Sequence, residues 1–220
     1  MINEPLPVAR IMSVTESRAT IILCGGQSTR MGFPKPWLPF GPERMLQRVA
    51  RIVEEVTPHR IIVAAAGMDL PPLPPDVVIV RDEHEARGPL EGLRAGLKAA
   101  QACDAVYVTG CDVPLLVPAF VNRLFAECGD RNACVPQDEN FSHPLSAVYR
   151  PSALAAAERL LAADHRRLTD LLDVIAAKRL PVSQLRDVDP ELVSLRNLNQ
   201  PEDYFAALAA AGLSLTERTQ

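Results

Sequence analysis

The stretch that most constrains this chain runs Ile21-Ile22-Leu23-Cys24-Gly25-Gly26-Gln27-Ser28-Thr29-Arg30-Met31-Gly32-Phe33-Pro34-Lys35. An apolar run breaks off into two glycines, which predicts a buried strand over residues 18–23 and a tight loop after it. Paired glycines let backbone N–H groups approach a ligand with no Cβ in the way. Arg30 and Lys35 then place fixed positive charge beside those donors, with Gly32 between them. Donors and cations at the end of a buried strand suit a polyphosphate. A glycine-rich turn would account for Gly25-Gly26 alone, but it leaves Arg30, Gly32 and Lys35 unexplained.

Two common phosphate loops are excluded. A Walker loop needs Gly-Lys-Ser or Gly-Lys-Thr at the start of a helix, whereas Lys35 lies between Pro34 and Pro36. A dinucleotide fingerprint needs G-x-G-x-x-G, and Gly25-Gly26-Gln27 breaks that spacing.

The rest of the chain gives the loop its setting. Met45, Leu46, Val49, Ile52, Val53 and Val56 recur at helical spacing and stop at Pro58. Residues 60–66 and 77–80 read as strands, joined through the stiff Pro71-Pro72-Leu73-Pro74-Pro75 connector, and Asp82 stands just past the second. Gly88-Pro89 opens a helix with Leu90, Leu93 and Leu97 on one face. Proline is well placed there, because the N–H it lacks would have had no helical partner. Residues 105–109 form a further strand that ends in Gly110-Cys111-Asp112-Val113-Pro114. A helix through Phe120, Val121, Leu124 and Phe125 follows. Strands over 133–136 and 144–149 come next, joined by the polar Gln137-Asp138-Glu139-Asn140.

Beyond Tyr149 the spacing predicts helices over 153–163 and 168–177. Short strands are expected at 180–182 and at Val188, then a turn over 197–203 into a last helix reaching Leu208. Alternating strands and helices make this an α/β chain with a mostly parallel sheet and helices on both faces. Ligands of such sheets bind beyond the carboxyl ends of the strands. Leu23 to Gly25, Asp82 and Asp112 all fall at such ends.

Composition bounds the function. At 220 residues and 24.0 kDa, the chain suffices for one sizeable domain. We read residues 18–215 as that domain and 1–17 as a loose N-terminal extension. A net charge of −4 with no long basic block argues against nucleic acid as partner. No apolar run reaches the roughly 18 residues of a membrane span, and the N-terminus lacks a secretory signal, so a cytoplasmic location is expected. The five cysteines are odd in number and contain no C-x-x-C, which points to reduced thiols rather than disulfides or a zinc site.

Asp112, a carboxylate just past a buried strand, can hold Mg²⁺, which takes one or two carboxylates together with phosphate oxygens; a turn Asp that caps the next helix is the structural alternative. Asn197 or Asn199 can supply a second oxygen, and an ordinary helix start explains the same run equally well. Arg166 and Arg167 lie in a predicted loop, where they can meet a phosphate or form a solvated basic turn.

The loop resembles the signature L-x-G-G-x-S-x-R-M-G-x-x-K of nucleotidyltransferases of the molybdenum cofactor guanylyltransferase type. Gly88-Pro89-Leu90-Glu91-Gly92 is similar to that family's G-P-L-x-G. Cys111-Asp112-Val113-Pro114 is similar to its C-D-x-P, His143-Pro144 to its H-P-x-x-A, and Asn197 to Asp203 to its C-terminal motif. The resemblance implies a three-layer, Rossmann-like nucleotidyltransferase fold and transfer of GMP from GTP to the phosphate of molybdenum-molybdopterin, with Mg²⁺ as cofactor. Catalysis falls on Arg30, Lys35 and Asp112. Nucleotide binding falls on Leu23, Cys24, Gly25, Gly26, Lys35, Asp82, Gly88 and Asp112. Asp112 and Asn199 would hold the metal, and His143 and Asn197 would border the acceptor. Other cofactor-biosynthesis proteins or molybdoenzymes are the implied protein partners; no membrane is. Ala64 departs from the asparagine that family members carry after the second strand, while Gly25-Gly26 favours GTP over CTP. A related enzyme with another nucleotide or a sugar or polyol phosphate acceptor, and a non-catalytic cofactor-binding chaperone, are the alternatives.

Overall fold

The protein is described from a computed structural model covering residues 16–25, 33–82, 88–139 and 141–213. Strand β1 (Arg18–Cys24) leads past a single 3-10 turn, Lys35–Trp37, into the short hairpin β2 (Pro39–Phe40) and β3 (Glu43–Arg44). Helix α1 (Met45–Glu54), β4 (His59–Ala65) and β5 (Val78–Asp82) follow, then α2 (Pro89–Ala99) and β6 (Ala105–Gly110). The second half comprises α3 (Pro118–Cys128), β7 (Ala133–Gln137), β8 (Ser146–Tyr149), α4 (Leu154–Ala162), α5 (Leu168–Val174), β9 (Lys178–Pro181) and α6 (Pro201–Ala210).

Seven strands form one sheet in the order β5-β4-β1-β6-β8-β7-β9. All neighbours are parallel except around β8, which runs against β6 and β7. β1 lies between β4 and β6 and is nearly all apolar, as a strand covered on both faces must be. Its side chains alternate. Ile21 joins Leu90, Leu93 and Leu97 of α2, with α4 and α5 behind them. Ile22 and Cys24 face Leu46, Val49 and Val53 of α1 and Phe120 and Leu124 of α3. The expected three layers are present. A third cluster packs Leu198 and Tyr204, Ala207 and Leu208 of α6 on Leu38, Phe40 and Met45, and the Tyr204 hydroxyl donates to Pro39 O.

The chain moves outward from β1 to β4 and β5, then crosses by α2 to β6 on the other side. The strand order reverses between β1 and β6, and the crevice at their carboxyl ends is where such sheets bind ligands.

Several expectations need correction. Asp82 is the last residue of β5 rather than one beyond it. The helix expected over 168–177 stops at Val174, and Ala176 adopts a positive φ of 49°. β9 starts at Lys178, because residues 178–181 pair in parallel with β7 (Cys134↔Lys178 to Gln137↔Pro181), and this pairing overrides local helical spacing. Val188 is in no strand; Val182–Leu185 is a 3-10 turn, and Val188 N–H donates back to Leu185 O. Of the segment read as an extension, Ser17 N–H donates to Asp104 Oδ2 at 2.7 Å and Glu16 pairs with Arg150 at 2.8 Å. Among the described residues, no helix is long and apolar enough to cross a membrane.

The closeness of α2 to β1 is set by Gly96. A Cβ there would lie 2.7 Å from Ile21 Cδ1 and Cγ2, inside any real contact distance. Ala is favoured over Gly in a helix by about 1 kcal/mol, but overpacking a core costs about 1–3 kcal/mol. Gly96→Ala is therefore expected to lower the unfolding free energy in urea titration. An increase would mean that α2 can retreat from β1 freely.

Candidate active site

The site begins where β1 and β6 end side by side. Cys111 N–H donates to Leu23 O at 3.2 Å, extending the pairing one residue past β6. Cys24 and Cys111 are both buried beneath this point. A hydrogen bond to Cys111, reinforced by burial, pushes the Cys24 thiol well above its ordinary range. Both cysteines therefore act as small apolar residues. Gly25 follows, and among the described residues no atom lies within 4 Å of where its Cβ would be. Packing by the described residues therefore does not demand glycine at this position, whereas a close-lying ligand would.

Asp112 folds back over Gly110, and a Cβ at residue 110 would collide with its Oδ1. The glycine thus leaves room for the carboxylate to turn this way. Arg48 of α1 donates to Pro114 O at 2.7 Å and holds the turn from below. On the other side of the crevice, Pro34 and Pro36 shape the 3-10 turn that carries Lys35. Its Nζ donates to Asp112 Oδ2 at 2.7 Å and to Asn199 Oδ1 at 3.1 Å. Lys35 and Asp112 are 18% and 14% exposed, shielded from solvent screening but reachable. Three of the expected site residues, the last two lying 77 and 164 positions from the first, therefore converge on one point.

Asn199 is held from several directions. The N–H groups of Asn199 and Gln200 both donate to Asp203 Oδ2 at 2.9 Å, capping α6. Leu198 N–H donates to Asp112 O at 3.0 Å, which ties the segment directly to the metal-binding candidate. Asp189, missed in the sequence, is 2% exposed, and its two oxygens accept from Val193 and Ser194 N–H at 3.0 and 2.9 Å. Ser194 Oγ then accepts from Val117 N–H at the start of α3. The Asp189-Pro190 dipeptide carried a turn signal for this, but nothing local indicated burial.

A second cleft of about 450 Å³ opens beside the first and is lined by His143, Pro144, Ser146, Arg166, Arg167 and Asn197 among others. His143 and Asn197 are thus brought together as expected. Arg166 and Arg167 also border this cleft, and both remain exposed as in a solvated basic turn, with Arg166 donating to Asp164 Oδ1 from Nε and Nη2 at 3.0 and 2.8 Å. Gly88, with φ of 81°, starts α2 against this loop, and a Cβ there would meet Arg166 O at 3.4 Å. Asp138 is a further residue the sequence did not flag: its Oδ2 lies 3.2 Å from His143 Nε2. Asp82 lies at the same carboxyl edge of the sheet, two strands from β1. Gly26 and Arg30 lie outside the described residues.

Glycines, a lysine and two oxygen donors at the switch point of a parallel sheet define a nucleotide-binding α/β protein, and sequence comparison narrows that class to nucleotidyltransferases. The MobA-like NTP transferase domain matches residues 20–181, and the chain belongs to that family. It is 30% identical over 198 residues, 90% of this chain and 95% of its relative, to a probable molybdenum cofactor guanylyltransferase of Pelotomaculum thermopropionicum. It is 34% identical over 199 residues, 88% of this chain and 95% of the relative, to a probable molybdenum cofactor guanylyltransferase of Mycobacterium avium. Its fold matches the crystal structure of molybdopterin-guanine dinucleotide biosynthesis protein A from Archaeoglobus fulgidus. That match has a TM-score of 0.72 at 23% identity and covers 89% of this chain and 98% of the other.

The cysteines give a direct check on the packing under the site. All five are free, and only Cys103 is not buried. Burial pushes the Cys128 thiol up and the Cys134 thiol up to about 12. At pH 8, native protein is expected to give one fast thiol with a disulfide reagent, and all five after denaturation. Fast labelling of Cys24 or Cys111 would contradict the closed β1–β6 junction.

Proposed function

We propose that the protein is a molybdenum cofactor guanylyltransferase. It transfers GMP from GTP to the phosphate of molybdenum-bound molybdopterin, and pyrophosphate leaves. The observation that carries this reading is the convergence of Asp112 Oδ2 and Asn199 Oδ1 on the Lys35 ammonium at the switch point, in a chain whose relatives bear that name.

Two hard oxygens aimed at one cation fit Mg²⁺, which takes few protein ligands and keeps water and phosphate oxygens for the rest. Among the described residues, no group of three or more His, Cys, Asp or Glu gathers into a closed metal cage. Asp112 and Asn199 would hold the ion, which would neutralise charge on the triphosphate. Lys35, no longer needed by the two oxygens, would then be available to the phosphates, with backbone donors near Gly25. Cations and N–H groups aimed at the leaving oxygens lower the barrier most when charge builds there.

The acceptor oxygen attacks the α-phosphorus, and the bond to the bridging oxygen of pyrophosphate breaks. A phosphate monoester has a second pKa of about 6 and is largely dianionic at neutral pH, so the attack needs no general base. His143, already engaged with Asp138, is read as a wall of the acceptor cleft. Arg166, Arg167 and Asn197 supply donors for the acceptor phosphate. Ala64 is buried among core residues and offers no polar group to a base, so the preference for GTP rests on Gly25-Gly26 and the relatives. Five free thiols suit the reducing cytoplasm, where we place the enzyme. Its product would be handed to other cofactor-biosynthesis proteins or molybdoenzymes.

Titration calorimetry with GTP, CTP, ATP and UTP in the presence of Mg²⁺ tests this reading. GTP is expected to bind at least about tenfold tighter than CTP, a difference of about 1.4 kcal/mol. Gly25→Ala is expected to keep the thermal midpoint and lose triphosphate affinity. A preference for another nucleotide would sink the guanylyl assignment while leaving the nucleotidyltransferase family intact.

A further inference from the structure

We propose that Phe141, which stands beside the second cleft next to His143, is a stacking platform for a planar heteroaromatic ring in the acceptor, and so a specificity-determining residue. The inference rests on the acceptor reading above. Phe141 is 60% exposed, the highest value among the exposed large hydrophobic side chains of the described residues. A single exposed apolar side chain is ordinary. What sets this one apart is how it is held and what it stands beside.

Phe141 N–H donates to Asp138 Oδ1 at 2.9 Å, and its carbonyl accepts from Asp138 N–H at 3.1 Å. Gln137 and Ser142 form an antiparallel bridge just beneath. The other oxygen of the same carboxylate, Asp138 Oδ2, meets His143 Nε2. One aspartate therefore fixes both the backbone that carries the phenyl ring and the imidazole next to it. The two rings stand edge to face, 5.3 Å apart at 62°, a favoured aromatic geometry. His143 and Ser142 line the cleft that also holds Arg166 and Arg167.

Phe141 itself is not among the residues that line the cleft; it stands next to His143, which is. Arg166 and Arg167 lie elsewhere in the same lining, Arg166 also donating to Asp164 Oδ1 from Nε and Nη2 at 3.0 and 2.8 Å. Pre-ordered aromatic side chains bind at low entropic cost, and flat heterocycles stack on them through their π-faces. Guanidinium groups take phosphate through parallel hydrogen bonds. The ligand chemistry that uses both ends is a fused heteroaromatic ring bearing a phosphate arm. A sugar or polyol phosphate would use the arginines alone and leave the phenyl ring idle.

The test is fluorescence titration of neopterin monophosphate, a pterin with a phosphate arm, into wild type, Phe141→Ala and Phe141→Trp. Competition by glycerol 3-phosphate and calorimetry with GTP and Mg²⁺ accompany it. Phe141→Ala is expected to weaken pterin binding by about tenfold, with GTP and glycerol 3-phosphate affinities unchanged, and Phe141→Trp is expected to restore it. Equal pterin affinity in wild type and Phe141→Ala, or an equal loss of GTP affinity, would overturn the platform while leaving the acceptor reading standing. A wild type that binds glycerol 3-phosphate but no pterin would overturn both.

Discussion

The contact on which the rest depends is that of the Lys35 ammonium with Asp112 and Asn199. It joins the segment after β1, the end of β6 and the approach to α6. Each element is placed by a different part of the fold. β1 and β6 are paired at the centre of the sheet. Asn199 is brought in by the Asp203 cap, the Leu198–Asp112 backbone bond and the buried Asp189. Removing any one of these supports would leave a half-buried charge with fewer partners, which is costly in a partly desolvated crevice. The cluster is therefore a clasp for the fold and, in the function proposed above, the place that would receive a metal–triphosphate.

The neighbouring cleft follows from the same construction. Asn197 and Asn199 stand two residues apart on one segment; the first lines the second cleft, proposed above for the acceptor, and the second reaches the Lys35 cluster. Gly88, at the start of α2, lies against the loop of Arg166, and Pro89 beside it lines the cleft with Arg166 and Arg167. In-line transfer needs two phosphates held close together in a fixed orientation, and a segment that reaches both the cleft and the Lys35 cluster suits that.

Much of this was legible in the sequence, for physical reasons. β1 is a run of apolar and β-branched residues cut off by glycines, a strong local signal, and it located the switch point. Asp112 was visible because it follows a second such strand. What could not be read arises from long-range contacts. The β2–β3 hairpin has two residues per strand and no periodicity to detect. A strand was legible at 180–182, but its actual bounds, Lys178–Pro181, come from the pairing with β7. Asp189 and Asp138 look like ordinary loop acids until the fold buries one and sets the other against His143. Arg166 and Arg167 border the second cleft because their loop lies against the start of α2 at Gly88 and Pro89, which no spacing along the chain encodes.

The central claim is that the Lys35–Asp112–Asn199 cluster performs nucleotidyl transfer. The most direct measurement is acceptor-dependent pyrophosphate release from GTP and Mg²⁺ by Asp112→Asn, compared with wild type at equal thermal stability. The account predicts a loss of about a hundredfold or more, the usual effect of removing one transition-state contact. Turnover within a few-fold of wild type would contradict it and move the chemistry away from the switch point.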